Sequence, residues 1–197
     1  MKIVFRLINS IHSASNGLFP NKKREANRQL FTELSSAILP QMMRIKQTYG
    51  FFERELFVIK EHRKKESVKV MDTCALAEQI LDIVKENESL VSPQLLSEYH
   101  AIQALELGIQ ELYAGQKNGQ GTYHIQLAEF DLKKKKLLLV KSYMLFLRKV
   151  AKSAGVLYTG LEETLDFYPP FIDHLTENVL VMNHAEKGQK SFFISNQ

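Results

Sequence analysis

Residues 132–161 read LKKKKLLLVKSYMLFLRKVAKSAGVLYTGL, a stretch that contains neither Asp nor Glu. The chain of 197 residues carries 26 Lys and Arg against 22 Asp and Glu, a formal charge of +4. Outside this stretch acidic residues outnumber basic ones, so the positive charge is concentrated in one block, where a negatively charged partner would bind. The basic residues of the block are Lys133, Lys134, Lys135, Lys136, Lys141, Arg148, Lys149 and Lys152.

The part of the block from Leu137 to Lys152 predicts an amphipathic helix, because its residues sort into two faces at about 100° per residue. Lys136 falls within the apolar sector, so we expect the helix to begin at or after the lysine run, which forms an exposed turn. Leu138 and Leu145 fall on the basic side and should leave apolar area exposed there. The apolar side collects Leu139, Val140, Tyr143, Phe146, Leu147 and Val150.

Upstream of the block, helical spacing and few turn residues predict a series of helices. We expect a short helix over 2–12 and a long one over 21–49 that Pro40 kinks or splits and Gly50 ends. Another helix is expected over 51–63. The charged segment HRKKES (62–67) is then expected to be a joint before a helix that starts at Asp72 or Thr73.

The clearest helix start is Ser92-Pro93, a cap residue followed by a proline in the first turn. That helix should end near Gly115, and the loop 115–121 (GQKNGQG) is the best candidate for an internal boundary. Two segments allow strands: Tyr123, Ile125 and Leu127 alternate with polar or small residues, and 178–182 with 191–195 could pair as a terminal hairpin. Residues 158–171, with a Pro-Pro pair, are expected to be irregular.

These patterns predict a single, mainly α domain over 1–197, with about six helices in a bundle-like or orthogonal array. They leave open a small β-hairpin near 122–140 or at the C-terminus. With Cys74 as the single cysteine no intramolecular disulfide can form, which fits a reducing compartment. The N-terminal segment MKIVFRLINSIHS is a poor signal sequence because Arg6 interrupts it, and no uninterrupted apolar run reaches 18 residues. We therefore expect a cytoplasmic protein without a transmembrane segment.

Sequence motifs give no catalytic, metal or cofactor site. No Glu is followed three residues later by a His, and Glu98 and His100 lie about 200° apart around a helix, so they cannot share a metal ion. Cys74 lies near a predicted helix start but has no identifiable catalytic partner, so we expect it to be a small packed residue. GQKNGQG matches neither phosphate-binding loop, and no GxSxG or HExxH occurs.

The sequence therefore favours a binding protein over an enzyme. We expect a non-enzymatic adaptor or chaperone-like subunit of a larger assembly that binds another protein. The first alternative is a binder of nucleic acid or of an anionic membrane surface that uses the basic block. The second is an enzyme of an unrecognised class. The basic block can also have no binding role: its apolar face then packs in the core, and its lysines are simply exposed to solvent on the outer face.

Overall fold

The computed structural model describes residues 20–50, 59–115 and 122–194, and it describes side chains for 22–50, 66–115 and 122–177. Six helices follow one another, and no strand occurs within these ranges. The prediction of a mainly α protein with about six helices is therefore confirmed. The helices are α1 (Pro20–Ser35), α2 (Leu39–Tyr49), α3 (Ile59–Glu86), α4 (Pro93–Gly115), α5 (Thr122–Ala154) and α6 (Thr159–Ile194).

Helix α5, which contains the basic block, is the central element of the fold. It packs against α1, α3, α4 and α6. Its apolar side is buried as the spacing predicts, except for the partly buried Phe146. Packing of this kind supplies most of the stability of a helix in a protein. The fully buried side chains on this helix include Leu137, Leu139, Val140, Tyr143, Met144 and Leu147.

The N-terminal helix is held against the C-terminal half of α5 by polar contacts between residues far apart in sequence. The buried Tyr143 hydroxyl donates to the carbonyl of Leu34 at 2.8 Å. The Arg24 Nε donates to the carbonyl of Ala154 at 3.3 Å, and Asn27 Nδ2 donates to that of Ser153 at 3.4 Å. The last carbonyls of α5 are thereby satisfied by side chains of α1.

The predicted break at Pro40 and the predicted helix end before Gly50 are both confirmed. The chain breaks between Ser35 and Leu39, which puts Pro40 in the first turn of α2, where a missing N–H group is harmless. Helix α2 ends at Tyr49, followed by Gly50, whose N–H donates to the carbonyl of Lys46 at 2.7 Å.

Helix α4 also begins as predicted. Ser92 caps it by accepting a hydrogen bond from the N–H of Leu95 at 3.3 Å, and Pro93 is its first residue. The helix ends at Gly115, as expected. The loop 116–121 and the predicted helix over 2–12 lie outside the described residues.

The predicted joint at HRKKES and the helix start at Asp72 or Thr73 are wrong, because α3 is continuous through both. Glu66 pairs with Lys69 at 2.6 Å, an i,i+3 contact that a helix makes available. The Thr73 hydroxyl donates back to the carbonyl of Lys69 at 2.7 Å, so it does not cap a new helix. Of the helix predicted over 51–63, residues 51–58 lie outside the described residues.

The strand predicted near 122–140 is wrong, since this segment forms the first part of α5. Of the three alternating apolar residues, Ile125 is buried, whereas Tyr123 and Leu127 are exposed. In the helix, only Ile125 of the three packs into the core. The expected helix start after the lysine run is also wrong, because the helix passes through all four lysines.

Of the segment 158–171, predicted to be irregular, all but Tyr158 is helical, and α6 contains both Pro169 and Pro170. A proline inside a helix costs about 3 kcal/mol, so packing must offset this cost. The neighbouring Tyr168 and Phe171 are fully buried, and the Tyr168 hydroxyl donates to the carbonyl of Met42 at 3.0 Å. The helix continues to Ile194, so 178–194 does not form the hairpin that the sequence allowed.

Candidate functional site

The eight basic residues of the block fall into three groups in the structure. Lys136 is buried between helices. Lys141 and Arg148 face acidic residues of α6. The remaining five make no ion pair with a described residue, and all are exposed except the half-buried Lys134: Lys133, Lys134, Lys135, Lys149 and Lys152.

Lys136 joins three helices. Its Nζ lies 2.5 Å from Glu78 Oε1 on α3 and 2.7 Å from Glu106 Oε1 on α4, and its side chain is only 10% exposed. Burial lowers the pKa of Lys136, but the hydrogen bonds that its ammonium group donates to Glu106 and Glu78 together raise it above the ordinary lysine value. Lys136 therefore stays charged and holds the helices together, and it is not available to bind a partner.

Lys141 and Arg148 hold α5 against α6. Lys141 Nζ lies 2.6 Å from Asp173 Oδ1. The Arg148 guanidinium contacts two carboxylates, with Nη2 at 2.9 Å from Glu162 Oε1 and Nε at 2.8 Å from Asp166 Oδ1. These acidic residues neutralise the edge of the basic block that faces α6.

The exposed side of α5 carries both apolar and basic side chains. Leu138 is 38% exposed and Leu145 is 44% exposed, which confirms the apolar area predicted on the basic side. Lys134 precedes Leu138 by one helical turn, and Lys149 and Lys152 follow Leu145 by one and two turns. We call these five residues the α5 ridge: Lys134, Leu138, Leu145, Lys149 and Lys152.

The edge of the ridge that faces α4 is fixed by a side-chain contact. The Ser142 hydroxyl donates to Glu98 Oε1 at 2.9 Å, and Gln94 Nε2 donates to the same oxygen at 3.1 Å. The other carboxylate oxygen of Glu98, Oε2, is buried without a hydrogen-bond partner among the described residues. The carboxylate of Glu98 thus lies between α4 and α5, on the α4 side of the ridge.

The residues considered for chemistry do not form a reactive site. Cys74 lies in the middle of α3 rather than at a helix start, and burial raises the pKa of its thiol to about 11. His100 is exposed, whereas the Glu98 carboxylate is engaged with Ser142. Over the described ranges no three His, Cys, Asp or Glu side chains come close enough to hold a metal ion together.

None of the described helices contains a segment long and apolar enough to cross a bilayer.

Sequence reasoning missed the three-helix contact of Lys136, Glu78 and Glu106. The signal that pointed to it was the position of Lys136 inside the apolar sector. From the sequence alone, we expect that position to mark a helix start. A lysine can also lie in an apolar sector when it is buried and pairs with carboxylates of neighbouring helices.

Comparisons of the chain with known protein families, with curated proteins and with solved structures find no similar protein.

Proposed function

We propose that this chain is a non-enzymatic adaptor or chaperone-like subunit of a larger assembly, and that it binds a partner protein through the α5 ridge. The observation that carries the proposal is the pair of partly exposed leucines, Leu138 and Leu145, on the central helix. Lysines that make no ion pair within the described part of the chain flank this pair at both ends.

Single exposed apolar side chains are common on protein surfaces and need no explanation. The two leucines of the ridge differ from such isolated side chains because they share one helical face. They also lie beside lysines that make no ion pair with a described residue. Lys136, Lys141 and Arg148 are engaged in ion pairs within the fold, but Lys149 and Lys152 make no ion pair with a described residue. A partner that covers the leucines and supplies carboxylates would use both features.

A second candidate function is binding of nucleic acid or of an anionic membrane surface, and it is favoured by the five lysines that pair with no acidic residue among those described. The acidic residues on α6 beside the ridge weigh against it, because Glu162, Asp166 and Asp173 would repel a broad sheet of phosphates. This alternative predicts binding to heparin, RNA or acidic liposomes that decreases steeply with salt and is lost on reversal of the ridge charges. An enzymatic function gains no support from the raised pKa of Cys74.

The test is affinity purification from the native cell at low and high salt, with three tagged versions of the chain. The wild type is compared with a ridge variant, Leu138→Ser with Leu145→Ser, and with a control variant, Leu107→Ser. Leu107 lies on α4 and is 58% exposed, so the control also replaces an exposed leucine, but away from the ridge. Circular dichroism and urea unfolding check that all three are folded.

The expected result is a defined set of proteins that the wild type and the Leu107 variant retain and the ridge variant loses. A partner that all three versions retain would show that binding occurs elsewhere. A strict monomer by light scattering, with no protein partner from the lysate, would refute the proposed function.

A further inference from the structure

We infer that the partner segment that binds to the α5 ridge is an acidic amphipathic α-helix; this inference rests on the function proposed above. The ridge extends from Lys134 to Lys152 along one face of α5, a length of about 27 Å at about 1.5 Å per residue. It has basic side chains at both ends and the leucine pair in the middle. A complementary segment therefore has an apolar centre and acidic ends.

The spacing of the two leucines favours a helix over an extended strand. Leu138 and Leu145 are seven residues apart, which corresponds to about 10.5 Å along α5. A second helix packed alongside presents its own side chains on one face at the same interval. In a strand, side chains on one face recur about every 6.7 Å, so they would not stay in register with the leucines.

The charges around the ridge favour a narrow partner. On the α6 side, Asp173, Glu162 and Asp166 already pair with the basic residues nearest to them. On the α4 side, the Glu98 carboxylate lies beside Ser142 of α5. Between these two edges the ridge is the exposed face of a single helix, roughly 10–12 Å wide. Lys133 and Lys135 lie outside the ridge, in the lysine run. A helix fits within the ridge, whereas a bilayer would bring lipid phosphates against the carboxylates of α6.

The test uses two synthetic, helix-stabilised peptides of about 18 residues, the length of the ridge. The first has two leucines seven positions apart on one face and glutamates at both ends. The second has the same composition with the leucines moved to opposite faces. Single-stranded RNA and phosphatidylserine vesicles serve as the other probes. Binding of each probe to the full chain is measured by fluorescence anisotropy at low salt and at about 1 M salt, where the Debye length is about 3 Å.

We expect the first peptide to bind at least about tenfold more tightly than the second, a difference of about 1.4 kcal/mol. The difference should persist at high salt, because it comes from burial of the leucines. Leu145→Ser should abolish the difference, whereas Lys149→Gln should weaken both peptides equally. Both residues are exposed, so neither substitution should prevent folding.

Equal binding of the two peptides would overturn the inference, because simple charge attraction would then explain it. Tighter binding of the RNA or of the vesicles than of the first peptide would also overturn it. If native partners are lost from the ridge variant while both peptides bind alike, the proposed function stands and only the helical partner is discarded.

Discussion

Replacement of Lys136 by Met tests whether this member of the basic block is structural or is available for recognition. Methionine keeps the apolar stem but removes the ammonium group that contacts Glu78 and Glu106 at 2.5 and 2.7 Å. A hydrogen bond to a charged group contributes about 1.5–3 kcal/mol, and rupture of a buried ion pair can cost about 3–5 kcal/mol. The side chains of Glu78 and Glu106 are 55% and 36% exposed, however, so water replaces part of what they lose.

We therefore expect Lys136→Met to lower the free energy of unfolding by about 1–3 kcal/mol, less than rupture of a fully buried pair would cost. Urea unfolding followed by far-ultraviolet circular dichroism measures this change. The matched control is Lys135→Met, because Lys135 is exposed and makes no ion pair with a described residue, so the change should be within about 0.5 kcal/mol.

A double-mutant cycle separates the loss of the ion pairs from the effect of the new side chain. In a background with Glu78→Gln and Glu106→Gln, the Lys136→Met substitution should cost less than about 1 kcal/mol, because no carboxylate is left without a partner. If Lys136→Met changes stability by less than about 0.5 kcal/mol in both backgrounds, the three-helix contact does not stabilise the fold and our reasoning is wrong. If the contact is confirmed, Lys136 has to be left out of any charge-reversal test of the basic block.

Three further predictions concern helix ends and the cysteine. Ser92→Ala should lower the free energy of unfolding by about 1 kcal/mol, because the N–H of Leu95 loses its cap; Ser92→Asp should preserve the cap, and urea unfolding of both variants measures the difference. Gly155→Ala should destabilise the end of α5 by about 1–2 kcal/mol, since Gly155 has φ +65°, where a Cβ atom is strained; thermal unfolding checks this, and an unchanged midpoint would contradict it. The rate of Cys74 alkylation should rise with pH up to about 11, because burial raises the thiol pKa above its ordinary value of 9.0. A stopped-flow titration measures this rate, and a plateau near pH 9.0 would show that the thiol is not desolvated.

Helix ends specified by local chemistry could be predicted from the sequence. Ser92 and Pro93 start α4, and Pro40 separates α1 from α2, because capping and the missing proline N–H act within one helical turn. The errors occurred where a contact from another helix decides the structure. Lys136 lies within the helix because carboxylates on α3 and α4 pair with its ammonium group. The Pro169-Pro170 segment is helical although neither proline can donate a hydrogen bond to the preceding turn.

Only part of the candidate site could be predicted from the sequence, because contacts between helices far apart in the chain decide the rest. The exposure of Leu138 and Leu145 follows from the period of α5 alone, so the sequence was sufficient to predict it. Which lysines remain unpaired depends on the acidic residues that α6 brings beside α5, such as Asp173 next to Lys141. These partners are separated by 32 residues, and no local pattern connects them.

The hydrogen bond from Tyr143 to the carbonyl of Leu34 has a consequence for the order of events during synthesis. Its two residues are 109 positions apart, and Arg24 reaches Ala154 across 130 positions. At a translation rate of about 5–20 residues per second, Leu34 is synthesised about 5–20 s before Tyr143, the residue that anchors it. During that interval Leu34, which is fully buried in the folded protein, has no α5 to pack against, so the nascent chain offers an apolar segment to ribosome-associated folding factors.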